Sequence, residues 1–285
     1  LARGNSSYSA RPESLWMAYM LYREGHILVR NGLLPPGDFH PDTRPREHLS
    51  ALREWNIAQG ILDVNGLNAR FSKGGDLEGL IRAAEERSTA MLAEVAGRIG
   101  DAIQGGGLRA ILITGPTSSG KTVTSRKALR YLSEAHPGVR FKPLEVDMYF
   151  RDNRHTEKLY YRVDGKVVED LNFELPETYD IPLFNEHLSA LLVGKTVMVP
   201  TYDFKTGRRT DETRPFSLAK DEVLLLDCMH ALSPQLTEAI PTGNKFKLYI
   251  EALTALEERP GRPVFLTDVR LLRRMIRDVR TRGYP

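Results

Sequence analysis

Gly115-Pro116-Thr117-Ser118-Ser119-Gly120-Lys121-Thr122 follows directly on the apolar run Ala110-Ile111-Leu112-Ile113-Thr114. The eight residues fit G-x-x-x-x-G-K-[ST], a glycine-rich loop between a buried strand and a helix. Glycine at 115 and 120 lets the backbone turn tightly and approach a phosphate with no Cβ in the way. Successive N–H groups of such a loop form an anion-binding concavity at the start of a helix whose dipole favours negative charge. Lys121 can reach β- and γ-phosphates, and the Thr122 hydroxyl can hold Mg²⁺. Val123, Ala128, Leu129 and Leu132 continue at helical spacing. The stretch predicts a site for a nucleoside triphosphate.

The 285 residues can bury one large core or two modest ones, and 41% apolar content is ordinary for a globular chain. A net charge of +3 implies no general polyanion-binding surface and argues against nucleic acid as a partner. A single cysteine, Cys228, excludes an intramolecular disulfide and suits a reducing, cytoplasmic setting. It lies beside an apolar run and reads as a small buried hydrophobe. The longest strongly apolar N-terminal run, residues 15–22, is too short to span a bilayer, no signal-peptide pattern appears, and no membrane role is expected. The seven histidines show no metal-ligand spacing with one another or with Cys228. The first residue is Leu1 rather than Met, which reads as a fragment of a longer chain. The oligomeric state stays open, a homo-oligomer included.

Three regions are expected: residues 1–75 as an N-terminal extension, 76–107 as a connecting helix and linker, and 108–285 as the domain that bears the loop. In the first, 15–21 reads as a helix before repeated glycine and proline breaks, and 47–59 as a second helix. Leu77, Leu80, Ile81, Ala84, Met91, Leu92, Val95 and Ile99 keep one face apolar along a long helix at 76–103. After the loop, 141–146 reads as a strand ending at Asp147, and ligands of open α/β sheets sit beyond the carboxyl ends of strands. Residues 181–192 form a helix with Asp180 as N-cap. Glu222-Val-Leu-Leu-Leu-Asp227 is a buried strand that delivers one carboxylate to the side of a metal. Residues 246–253 give another strand. The helix at 268–284 sets Leu271, Leu272, Met275, Ile276 and Val279 on one face and Arg270, Arg273, Arg274, Arg277, Arg280 and Arg282 on the rest. Arginine clamps phosphate bidentately, so this helix is expected to close over a phosphate as a lid. The expected fold is α/β: a P-loop domain with a mostly parallel sheet, helices on both faces, and a helical N-terminal extension.

Asp147-Met-Tyr-Phe150, Asn172-Phe-Glu174, Leu183-Phe-Asn-Glu-His187, Pro200-Thr-Tyr-Asp-Phe204, Leu224-Leu-Leu-Asp227 and Arg270-Leu-Leu-Arg-Arg274, in that order after the loop, resemble the uridine kinase and phosphoribulokinase family of P-loop kinases. The resemblance runs from about residue 109 to 284. It is strongest to nucleoside kinases with a threonyl-tRNA-synthetase-like region upstream, which Phe204-Lys-Thr-Gly-Arg-Arg209 and Arg282-Gly-Tyr284 resemble. It implies ATP held by Gly115, Pro116, Thr117, Ser118, Ser119, Gly120, Lys121 and Thr122, with Mg²⁺ held by Thr122 and Asp227. It implies Asp147 as the acid that orients the acceptor hydroxyl and takes its proton. Glu174, Tyr202 and Phe204 would line a nucleoside pocket, although Tyr202 and Phe204 taken alone read more as core. Arg274 and Arg277 would reach the phosphates from the lid, joining Lys121 and Asp147 as catalytic residues.

Two positions depart from the family pattern. Gly207 stands where uridine kinases carry a base-reading histidine, and Asp227-Cys228 stands where Glu-Gly is usual. The function implied is ATP-dependent phosphorylation of a small-molecule acceptor, a uridine- or cytidine-like nucleoside, at its primary hydroxyl. The alternatives are another small polyol or sugar phosphate as acceptor, or an ATP-binding regulatory or RNA-associated module without transfer.

Overall fold

The computed structural model describes residues 19–23, 26–30 and 44–282, apart from 164 and 174. Glu174 and residues 283–285 therefore lie outside the described residues. The chain divides into two compact units, Leu1–Trp55 and Asn56–Pro285. The first holds β1 (Tyr19–Arg23), β2 (His26–Arg30) and most of α1 (Arg44–Ala58). The helix expected over 15–21 is corrected over its described part: residues 19–21 belong to a strand. Met20 pairs with Val29 and Tyr22 with Ile27 in antiparallel register, and β-branched and aromatic partners favour a pleated ladder over a helix.

The second unit continues with α2 (Val64–Ala69), α3 (Leu77–Gln104), β3 (Ala110–Thr114), α4 (Lys121–Ala135) and β4 (Arg140–Leu144). A hairpin of β5 (Lys158–Val163) and β6 (Lys166–Leu171) precedes α5 (Ile181–Leu192), and a second hairpin joins β7 (Val197–Asp203) to β8 (Arg208–Phe216). Then come β9 (Glu222–Asp227), β10 (Lys245–Tyr249), the short pair β11 (Glu257–Arg259) and β12 (Arg262–Pro263), and α6 (Leu266–Arg282). Asp76 caps α3 and Asp180 caps α5, each accepting a backbone N–H three residues on.

The central sheet is wholly parallel, in the order β10-β3-β9-β4. The two inner strands, β3 and β9, are apolar at successive positions because both faces are covered, whereas the edge strands β10 and β4 carry lysine or arginine between their apolar residues. Ala110, Leu112, Leu144, Leu224 and Leu226 face a core shared with Phe184, Leu188 and Leu191 of α5. Ile111, Ile113, Val223 and Leu225 face the other way, onto Ala96 and Ile99 of α3 and Leu132 of α4. Alternation of side chains along each strand thus builds the layered α/β architecture from runs that look uniformly apolar in sequence. The carboxyl ends of β3, β9 and β4 lie side by side and carry the glycine-rich loop, Asp227 and Asp147. Among the described residues no helix is long and apolar enough to cross a membrane.

Candidate active site

The loop at 115–120 is shaped by close approach. A Cβ at Gly115 would stand 2.2 Å from the Ile250 carbonyl oxygen and 2.9 Å from Ser119 Oγ, so only glycine fits there. Ser118 has φ +65 and Gly120 φ +98, which turn the chain sharply into α4. Gly120 gives α4 no side-chain cap, so the helix N-terminus stays open to an anion. The Ser118 and Ser119 hydroxyls are buried with no hydrogen-bond partner among the described residues, as polar groups awaiting a ligand would be. Thr114, Gly115, Pro116 and Thr117 line a cleft of about 600 Å³ together with Tyr249, Arg270, Leu271 and Arg274.

Lys121 Nζ lies 3.0 Å from Asp227 Oδ1, which joins the loop to the end of β9. Asp147 sits in a 3₁₀ turn (Val146–Tyr149) just past β4 and is exposed on its open side. The protein packed around its carboxyl still pushes its pKa above the usual carboxylate range; the Tyr179 hydroxyl and Lys121 pull it back, and Asp227 adds to the rise. The Tyr179 hydroxyl donates to Asp147 Oδ1 over 2.9 Å.

Beside Asp147 stands a group of rings centred on Phe150. Tyr179 stacks on Phe150 at 4.4 Å between centroids, while Phe173 and Phe204 meet it edge-on at 5.5 and 6.5 Å and Tyr202 lies tilted at 5.6 Å. Tyr202 is buried and its hydroxyl donates to Asn153 Oδ1, whereas Phe204 is 60% exposed at the edge of the group. The two rings read together in the sequence thus divide between core and surface.

On α6, Arg274 faces the cleft and lies 3.6 Å from Asp278. Arg277 is placed differently: its guanidinium is held by Asp278 at 2.9 Å and it is absent from the cleft wall. The arginine that touches the loop is Arg273, whose Nε donates to the Ser118 carbonyl over 2.9 Å. The apolar face of this helix is open, with Leu271, Leu272, Met275, Ile276 and Val279 each more than half exposed.

A model of the Phosphoribulokinase / Uridine kinase family matches residues 110–285. The chain belongs to this family. The uridine kinase of Clostridium perfringens strain SM101 is 28% identical over 171 residues, which span 60% of this chain and 68% of the relative. That of Staphylococcus aureus strain JH9 is 28% identical over 171 residues, spanning 60% and 69%. Among solved structures, a chain from Silicibacter sp. TM1040 assigned as a fructose transport system kinase is 17% identical, with a TM-score of 0.43, covering 65% of this chain and 81% of that one. Family membership makes the chain a phosphotransferase with an alcohol acceptor and a small-molecule substrate.

The residues present fit the triphosphate and metal that a kinase of this family uses. The loop packs its backbone so tightly at 115 that no Cβ fits, and it holds two buried serine hydroxyls with no hydrogen-bond partner among the described residues. Thr122 and Asp227 offer hard oxygens. Mg²⁺ keeps several waters and phosphate oxygens, so one or two protein ligands suffice. Among the described residues no group of three or more His, Cys, Asp or Glu could hold a metal on its own.

Sequence reasoning does not reach Tyr179 or Asn153, and it reads Arg273 only as one of six arginines on the lid helix. Tyr179 precedes the recognised cap Asp180, and only the fold carries it to Asp147. Periodicity cannot choose among six arginines on one helix, which hid Arg273. Asn153 has no motif at all.

Proposed function

We propose that this chain transfers the γ-phosphoryl group of ATP to the primary hydroxyl of a nucleoside, uridine- or cytidine-like. The observation that carries the reading is the position of Asp147. Its carboxylate accepts from Tyr179, feels both Lys121 and Asp227, and adjoins the ring group of Phe150, Tyr202 and Phe204. One acid thus stands between a phosphate cradle and an aromatic wall on which a flat base can stack.

Mg·ATP, when bound, supplies the phosphoryl group and an electrophilic phosphorus screened by the metal. The loop N–H groups and Lys121 hold the phosphates, and Thr122 and Asp227 provide the metal's protein oxygens. Asp147 orients the acceptor hydroxyl and receives its proton as the new O–P bond forms and the bond to the leaving diphosphate breaks. A loose phosphoryl-transfer transition state asks mainly for alignment and charge neutralisation, which Lys121, Arg273 and Arg274 are placed to provide.

ADP release with Mg·ATP against uridine, cytidine, purine nucleosides, free sugars and sugar phosphates tests the reading. Uridine- or cytidine-dependent turnover is expected. Turnover with a sugar or sugar phosphate and with none of the nucleosides would reassign the acceptor. ATP binding without any acceptor-dependent turnover would favour a regulatory module.

A further inference from the structure

Arg209, on β8, uses all three nitrogens of its guanidinium on separate partners. Nε donates to the Phe150 carbonyl, Nη2 to the Tyr149 carbonyl and Nη1 to Asp180 Oδ2, each over 2.9 Å. Its backbone N–H donates to Asp152 Oδ1 over 3.0 Å. The Tyr149 carbonyl also accepts the Asp180 N–H, and Asp180 Oδ1 caps α5 through the Leu183 N–H. The Arg209 side chain is one quarter exposed, so these bonds are partly shielded from water.

These bonds tie three segments that are distant in the chain. Tyr149 and Phe150 close the turn that presents Asp147, and their carbonyls are the groups a short helical turn leaves open. Asp180 directly follows Tyr179, the hydrogen-bond partner of Asp147. Arg209 itself pairs with Tyr202 across the β7–β8 hairpin, and that hairpin carries Phe204 at its tip. Asn153 adds a parallel tie, with its N–H donating to the Gly207 carbonyl and its side chain accepting from Tyr202. The planar fork reaches the three acceptors from three separate nitrogens, whereas the three donors of a lysine radiate from one nitrogen and do not match that spread.

We infer that Arg209 is a positioning residue for phosphoryl transfer, locking the turn that bears Asp147 to the hairpin that bears the ring wall. The inference rests on the reading of Asp147 as proton acceptor and of Tyr202 and Phe204 as acceptor wall. Arg209 works through its neighbours, and its loss misaligns reacting groups without touching the phosphate cradle.

The test compares Arg209→Lys, Asp180→Asn and the double variant with the native chain, using uridine and Mg·ATP. Arg209→Lys is expected to lower kcat about 100-fold, the scale of an ångström-sized misplacement, with the KM for ATP within about twofold. Amide hydrogen exchange should quicken at 147–153 and 202–209 and stay unchanged across 110–120. Asp180→Asn keeps a good cap and removes one charged arm, so about a tenfold loss is expected, and the double variant should be no worse than Arg209→Lys alone. Native kcat in Arg209→Lys overturns the inference, as does a loss of kcat with exchange quickened evenly over the whole sheet. Should Arg209→Lys fail to fold, Asp180→Asn decides, and native kcat there overturns it. Silence of the native chain toward every nucleoside would sink the acceptor reading instead, and the exchange pattern then decides the role of Arg209 by itself.

Discussion

The Tyr179 hydroxyl and the Asp147 carboxylate form a 2.9 Å hydrogen bond while Tyr179 stacks its ring on Phe150. One residue therefore tunes Asp147, the proposed proton acceptor, and braces the ring group around Phe150. The bond favours the charged carboxylate, opposing the burial that raises its pKa. In Tyr179→Phe that opposition is lost and the pKa of Asp147 rises further. The acid limb of the pH profile of kcat should move to higher pH, with a larger loss of rate at pH 6 than at pH 8. A profile that superimposes on the native one would show that this bond does not govern the reactive group.

Asp147→Asn is expected to lower turnover by about 10³-fold or more, within the range that positioned acid–base groups and their alignment supply together. ATP affinity should change little, because the loop and Lys121 are untouched. Stability should move the opposite way to activity. A folded-state pKa above the unfolded one means that ionisation of Asp147 costs the native state more than the unfolded chain. That cost is absent below the ordinary value of about 3.9 and complete above the raised folded value. The asparagine variant never ionises, so at pH 7.5 it should melt no lower than the native chain, and near pH 3.5 the difference should vanish. Thermal melts at the two pH values check this; a variant that melts lower at pH 7.5 refutes it.

The sequence made the local features of this site readable and hid the tertiary ones, for a physical reason. Residues 115–122, the cap at Asp180 and the run ending in Asp227 are each written within a few successive residues, where backbone demands limit the side chains allowed. The Tyr179–Asp147 bond spans 32 residues and the Arg209 bonds to Asp180 and Tyr149 span 29 and 60, so no window of periodicity contains them. Pattern also says that a helix is two-sided, not what covers it: Leu271, Met275 and Ile276 form the expected stripe on α6, yet each stays more than half exposed. The strand at Tyr19–Arg23 was missed for the same reason, since its partner, not its own composition, decides it.

Cys228, next to Asp227, is 2% exposed, and burial pushes its thiol up to about 12. At pH 8 only about one thiol in 10⁴ is then ionised, and the thiolate is the reactive species. The native chain should therefore resist a disulfide reagent such as dithionitrobenzoate at pH 8 over hours and release one equivalent on denaturation in guanidinium. Prompt reaction of the folded chain would mean that the end of β9 opens far more often than its packing implies.

Arg273 reaches the phosphate loop from α6 through the Ser118 carbonyl. Ser118 holds a left-handed conformation, φ +65, which neighbouring contacts must sustain in a residue with a Cβ. Arg273→Gln removes both the contact and a positive charge beside the loop, and is expected to weaken Mg·ATP binding about tenfold, equivalent to ~1.4 kcal/mol. Arg277→Gln should change that affinity less, because Asp278 already occupies its guanidinium. Calorimetric titration of both variants with Mg·ATP measures the order, and the reverse ranking would place Arg277, not Arg273, against the nucleotide.

Gly207 sits at the tip of the β7–β8 hairpin with φ +67, and a Cβ there would lie 1.9 Å from Asn153 Nδ2 and 2.4 Å from its Cγ. A left-handed alanine costs about 1–2 kcal/mol by itself. The collision adds to this because the Asn153 side chain must leave the Tyr202 hydroxyl, its hydrogen-bond partner at 2.9 Å. A side chain at 207, a histidine included, is therefore incompatible with Asn153 where it stands, and the amide of Asn153 occupies the space between Gly207 and the Tyr202 hydroxyl. Gly207→Ala should raise the KM for uridine several-fold and lower the melting temperature, with the KM for ATP unchanged because the loop is on another segment. Combining it with Asn153→Gly removes the clash but not the backbone strain. The pair should recover part of the lost stability without restoring uridine affinity, since the Tyr202 hydroxyl stays unpaired. Full recovery of uridine affinity in the pair would show that Asn153 acts only as a spacer.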